Sequence, residues 1–206
     1  TAVDDDIDHF YLGYLEEING QLVSLTNDGS NNRLEVVDIE KIIPKTFPQR
    51  CTIGMNELQP AGITTTEDRL VVAVQEESFT NVLLLDHECS VVNEMSMPFK
   101  AEDIAFDNGR FYVLTFEHAA KARIHIMDEN LQQIEEFDLE GSKFTAGTSL
   151  EVADGKIFVT HNAADDLMSV TNLETRDTTV LVDLKDAAPR GIAAVGRVTV
   201  ALDSTL

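Results

Sequence analysis

Tryptophan is absent from this chain, and only two cysteines and 15 basic residues occur among 206. No apolar run approaches the ~20 residues of a membrane-spanning helix, so no membrane span is expected. No segment holds a 3.6-residue apolar period for three turns, which argues against helices. The start is not signal-like and lacks an initiator Met; Thr1 fits a removed leader or a cut edge equally well. Also missing are a Gly-x-Ser-x-Gly elbow, a Walker glycine loop, paired-cysteine zinc spacing and a His-Glu-x-x-His helix, so no familiar catalytic motif offers itself. The shortage of bases is lopsided: 37 acidic residues leave a formal net charge of −22. Such a field repels nucleic acid and anionic membrane, and it favours solubility in a salty or calcium-containing medium or the recruitment of cations.

What is present is a repeat. Apolar residues make up 43% of the chain, an ordinary share for one sizeable core. Turn signals recur at Asn19-Gly20, Glu67-Asp68, Asn108-Gly109, Asp154-Gly155 and Val195-Gly196, 41 to 48 residues apart. Asn-Gly and Asp-Gly suit a two-residue hairpin because both central residues need φ > 0. An apolar strand follows each turn, as in Arg110-Phe111-Tyr112-Val113-Leu114 and Lys156-Ile157-Phe158-Val159-Thr160. Third strands are expected at 33–38, 81–86, 123–128 and 167–172, each closed by Asp or Asn, where an Asx turn forms readily. Fourth strands follow, as at 90–97 and 178–184.

Four strands per 40–45 residues predict an all-β chain, a β-propeller of four-stranded antiparallel blades whose apolar faces only neighbouring blades can cover. About five units are visible, at roughly 12–48, 60–97, 101–139, 145–184 and 188–206. The last is incomplete, and residues 1–11 are a candidate to complete it. The hairpins Asp154-Gly155-Lys156-Ile157-Phe158-Val159 and Asn108-Gly109-Arg110-Phe111-Tyr112-Val113 resemble the broad YVTN/NHL-like group of propellers. That resemblance covers the chain from about Leu12 onwards and specifies the fold rather than a member. Without tryptophan, the Trp-Asp pairs of WD40 repeats are missing, which disfavours that subfamily. Two sizes stay open, a five-bladed ring with one thin blade or part of a ring of six to eight; the exposed faces of the half-unit tilt the expectation towards the second.

In this frame Cys51 precedes a first strand and Cys89 lies in a third-to-fourth-strand turn. Opposite ends of a blade are farther apart than the roughly 7 Å a disulfide tolerates, so two free, buried thiols are expected. Loops from second to third strand and from blade to blade emerge on one face, the face that propeller relatives use for ligands. It gathers Glu76, Glu77, Glu117, His118, His161 and Asn162, and the inter-blade loops add Lys45, Arg50, Lys100, Lys143, Lys185 and Arg190. Arg50, Lys100, Lys143 and Arg190 beside His118, His161 and Asn162 form the candidate site for an anionic small molecule or a carboxylate-bearing peptide. The competing reading is that these cations are solvated and pair weakly with the abundant acids. His118 and His161 read as equivalent positions in successive units.

The acidic start, Asp4-Asp5-Asp6-Ile7-Asp8, resembles a calcium loop, yet His9 stands where an EF-hand needs Gly and Leu15 where it needs Glu. The match therefore fails and a solvated terminus is the favoured reading, with calcium held by Asp4, Asp6 and Asp8 as the alternative; no other cofactor is expected for a binding module. Related propeller lactonases and lyases use carboxylates, Asn or His at the channel mouth, which Glu76, Glu117, His118, His161 and Asn162 would imitate with a divalent metal. The favoured expectation is a noncatalytic binding or scaffold module, extracellular, periplasmic or on a cell surface, taking a protein or small-molecule ligand on its loop face. A channel-mouth hydrolase or lyase and a structural subunit of a larger assembly are the alternatives.

Overall fold

In the computed structural model the chain is all β. The structure describes residues 11–18, 21–27, 32–37, 49–53, 59–66, 69–86, 90–116, 121–141, 143–162, 166–184, 189–195 and 198–203. Side chains are described within 59–184 of these ranges and at Ile192. The first sheet holds β1 (Tyr11–Ile18), β2 (Gln21–Asn27), β3 (Asn32–Val37) and β4 (Gln49–Ile53). The second holds β5 (Gln59–Thr65), β6 (Leu70–Gln75), β7 (Thr80–Leu85) and β8 (Val91–Met97). The third holds β9 (Asp103–Asp107), β10 (Arg110–Phe116), β11 (Ala122–Met127) and β12 (Gln133–Asp138). The fourth holds β13 (Gly147–Ala153), β14 (Lys156–His161), β15 (Leu167–Asn172) and β16 (Thr178–Asp183). A two-stranded sheet, β17 (Pro189–Val195) with β18 (Val198–Asp203), follows.

Each four-stranded sheet is an antiparallel meander in chain order, the local solution for strands joined by short turns. Asn108 and Gly109 take φ 50° and 73°, and Asp154 and Gly155 take 51° and 69°. Both pairs are therefore the mirror-image turns whose twist matches the flanking strands. The Asx closures are present too. Asp128 Oδ1 accepts from Asn130 N and Gln132 N, and Asn172 Oδ1 accepts from Glu174 N and Thr175 N. In the last hairpin Val195 pairs with Val198, so the strand pairing includes Val195, which the sequence had suggested as a turn residue.

The first strands stand side by side in a circuit: β1 beside β5, β5 beside β9, β9 beside β13, β13 beside β17, and β17 beside β1. The first strands of the five described sheets thus close a circuit. Apolar side chains fill the gaps between blades. Ile104, Phe111 and Val113 pack with Ala61, Val71 and Met97 between the second and third sheets. Ala105, Leu114 and Ile124 pack with Leu150, Ile157 and Val159 between the third and fourth. Each of the larger side chains contributes roughly 1.5–3 kcal/mol on burial, which is why the sheets cannot stand alone.

One boundary needs correction. The fourth strand of the first sheet is Gln49–Ile53, beyond the unit end expected at residue 48. Other third-to-fourth connections occupy residues 86–90, 128–132 and 173–177, whereas here residues 38–48 intervene. Counting at the usual spacing ended the unit too early. Cys51 accordingly belongs to β4 rather than preceding a first strand; its side chain, and all of Cys89, lie outside the described residues.

Candidate functional site

The expected ligand residues separate once placed. Lys100 and Lys143 are exposed on the crossovers leading into β9 and β13. Asn162 follows β14 on the same face, with its N–H donating to Ala146 O. Arg190 is a strand residue, not a loop residue: Pro189 pairs with Asp203 and Gly191 with Leu202, so Arg190 is the extra residue of a bulge. Arg50 is likewise the extra residue of a bulge, between Gln49 and Cys51 of β4. Because β4 starts at the face carrying the hairpin turns, Arg50 sits at the end opposite the loop face, and the expected ring of cations loses it. His118, Glu117, Lys45, Lys185 and Asp4, Asp6 and Asp8 lie outside the described residues.

His161 is the largest correction. It ends β14 and is fully buried, not set in an open loop. Its Nδ1 lies 3.1 Å from Thr145 O and its Nε2 lies 2.8 Å from Ser169 Oγ. A carbonyl only accepts, so Nδ1 carries the proton and Nε2 accepts from the serine hydroxyl. Burial pushes the imidazole down to about 4, against a smaller opposing pull from the Thr145 bond. The ring is neutral and both nitrogens are occupied.

The position equivalent to His161, counted from the hairpin turn, is Thr115 rather than His118. Thr115 Oγ1 lies 3.1 Å from His125 Nε2, and His125 occupies the position of Ser169. Adjacent blades therefore carry the same imidazole–hydroxyl pair with the strands exchanged. Each imidazole also meets a crossover phenylalanine. Phe99 stacks on His125 at 4.2 Å and 20°, and Phe144 tilts against His161 at 5.6 Å. His125 Nδ1 further approaches Gln133 Oε1 at 3.1 Å and Glu136 Oε2 at 3.4 Å. Burial lowers the pKa of His125, partly offset by Gln133 and Glu136. Although Thr115, His125 and Glu136 line up as hydroxyl, imidazole and carboxylate, Thr115 is buried. In each pair the imidazole packs against a crossover and bonds to a hydroxyl on the neighbouring strand of its own sheet.

A second polar set lies on the innermost strands. Asp107, Ala105 and Asp103 exchange bonds with β10, which leaves the Phe106 and Ile104 amides on the free inner edge. The same count leaves Val152 and Leu150 of β13 free. All four find side-chain acceptors. Phe106 N donates to Thr64 Oγ1 at 3.0 Å, and Val152 N to Glu151 Oε1 at 2.9 Å. Ile104 N donates to Asp103 Oδ1 at 2.8 Å and Leu150 N to Asp103 Oδ2 at 2.7 Å. Ser149 Oγ adds a third bond to Asp103, at 2.8 Å. Asp103 is thus a buried clasp between blades. Burial drives its carboxyl well above the usual range, while the Leu150, Ser149 and Ile104 bonds pull it back and Glu151 pushes it further up. Gly62 makes room for it: a Cβ there would lie 2.4 Å from Asp103 Oδ1.

Sequence reasoning missed Asp103 and His125. The available signal was an acid inside an apolar strand, five residues before the turn, where Gly62 and Ser149 stand in neighbouring units. At the loop face itself, Gln75 Nε2 donates to Ala101 O, and Thr80 Oγ1 bridges Phe99 O and Ala101 N. This holds the crossover that carries Lys100 and Glu102. Burial raises the carboxyl of Glu102 and Lys100 pulls it down. Glu76 accepts from Asn81 Nδ2 at 3.5 Å, within its own hairpin. No group of three or more His, Cys, Asp or Glu fit for a metal occurs among the described residues.

No family model and no curated protein sequence matches this chain. Solved structures do. Glutaminyl cyclase of Myxococcus xanthus superposes with a TM-score of 0.67 at 12% identity, over 92% of this chain and 83% of that one. A chain of the nidogen/laminin complex gives 0.67 at 10%, over 95% and 73%. A chain of the mitotic checkpoint complex gives 0.57 at 16%, over 92% and 59%. At such identities the likeness concerns the backbone, and together with the ring of antiparallel blades it shows that the chain is a β-propeller.

Proposed function

We propose that this propeller is a noncatalytic binding or scaffold module that takes a protein or small-molecule ligand on its loop face. The observation carrying this reading is how the interior polar groups are used. The imidazoles of His125 and His161 and the carboxylate of Asp103 are buried and engaged within and between blades. Lys100 and Lys143 stay exposed on the crossovers, with Asn162 and Arg190 on the same face. Solved neighbours taken from a nidogen/laminin complex and a checkpoint complex support an assembly role. The acidic charge suits an extracellular, periplasmic or cell-surface setting. A clamped crossover presents its side chains with little ordering cost, and pre-organisation of that kind strengthens binding.

The test is hydrogen exchange with and without a hexa-aspartate peptide, repeated on Lys100→Glu/Lys143→Glu. Protection at 99–102 and 143–148 that the double variant loses is the expected result. No protection at millimolar peptide, or steady ester, lactone or lyase turnover that survives purification and falls in Glu76→Gln, would sink the reading.

A further inference from the structure

The outer rim carries a second surface, independent of the loop face. β8, β12 and β16 end their sheets and present a row of backbone groups to solvent. All three contain a bulge, and the extra residue is an exposed aliphatic each time: Val92 at 48%, Ile134 at 53% and Leu181 at 46%. The strands differ in charge. β8 carries Glu94, and β12 carries Glu135, Glu136 and Asp138, acids that discourage edge pairing. From Thr178 to Val182, β16 carries none. Its bulge breaks the usual alternation, so Val180, Leu181 and Val182 are all exposed in succession, at 46%, 46% and 41%.

We propose that β16 is a docking edge for an extended segment of a partner protein, an alternating β-branched stretch flanked by basic residues, which adds as a fifth strand to the fourth sheet. The charges at the strand ends choose this occupant. Glu174 and Asp177 precede β16 and Asp183 closes it. Among the described residues, the base next to the strand, Arg176, is turned away: its guanidinium pairs with Glu135 at 2.8 Å and lies 4.6 Å over the Phe137 ring. A second copy pairing antiparallel about Val180 would set Asp177 against Asp183 at both ends, in a chain already at −22. Like charges directly opposite destabilise a strand pair. A partner strand with Lys or Arg six residues apart turns both repulsions into attractions. The backbone supplies affinity, and the exposed aliphatics and flanking charges supply selectivity.

The probe is a labelled heptapeptide, KTVTITK, titrated by fluorescence anisotropy into the whole chain, with ETVTITE as the charge-reversed control. The expected result is saturable binding of the basic peptide, weakened by roughly tenfold in the acidic one and by 0.5 M salt. Thr179→Lys/Leu181→Lys, both at exposed positions, abolishes it, whereas Glu94→Lys on β8 leaves it unchanged. Hydrogen exchange on the unmodified protein places the protection at 178–183 and guards against a variant that misfolds. Equal binding of both peptides, protection confined to β8 or β12, no binding at 1 mM, or a sedimentation dimer that the double variant dissolves would each overturn the proposal.

Discussion

Replacing Asp103 tests the idea that a single carboxylate clasps two blades. In Asp103→Ala, Ile104 N, Leu150 N and Ser149 Oγ lose their acceptor inside the ring. Each stranded buried donor costs about 1–3 kcal/mol, so the variant should lose about 3 kcal/mol or more. That is a large part of the roughly 5–15 kcal/mol a domain possesses. Asp103→Asn keeps the bond from Ile104 but turns an amide N–H towards Leu150 N–H, and should fall between the two. The pH dependence has a defined sign. Burial raises the folded carboxyl above its ordinary 3.8, so the folded state holds its proton more firmly than the unfolded chain. Stability from this group is therefore full below 3.8 and drains away as pH rises through the folded value. Urea unfolding of the wild type, Asp103→Ala and Asp103→Asn between pH 3.5 and 8 reads both effects. The reasoning fails if Asp103→Ala stays within 0.5 kcal/mol of wild type, or if the wild-type advantage over Asp103→Asn grows with pH.

Three further outcomes follow from the same geometry. Gly62→Ala forces a Cβ to within 2.7 Å of Ile104 N as well as onto the Asp103 carboxylate. It should cost about 1–3 kcal/mol by overpacking, and calorimetry should find the loss coupled to Asp103→Ala rather than additive. His161 titrates near 4 when folded and 6.5 when unfolded, so the unfolded chain takes up the proton first and stability falls as pH drops through that window. Histidine NMR should show no His161 protonation at pH 5.5, and His161→Gln should flatten the acid limb. Gly155 has φ 69° and open space around its missing Cβ. Gly155→Ala should therefore lose about 1–2 kcal/mol through backbone strain alone, and Gly155→Asn much less; equal thermal melts for the two would contradict the turn assignment.

The turns, strand order and Asx closures were readable because they depend on residues adjacent in the chain. An Asn-Gly or Asp-Gly step flanked by apolar runs needs no distant partner to fold as a hairpin, and five turn signals at near-constant spacing, three of them such steps, imply blades that must bury one another. The fourth strand at Gln49–Ile53 escaped that logic because its connection departs from the spacing of the others. His161 was misread for a different reason. Whether a histidine at a strand end faces water or a crossover depends on Thr145 and Phe144, which come from the preceding connection rather than from its own hairpin. Ring closure brings Asp103 to Ser149 and Leu150, 46 and 47 residues away. Local periodicity thus determined that this chain forms sheets and that the sheets repeat. Only the ring decided which polar groups are spent holding blades together and which, on the loop face and along β16, stay exposed.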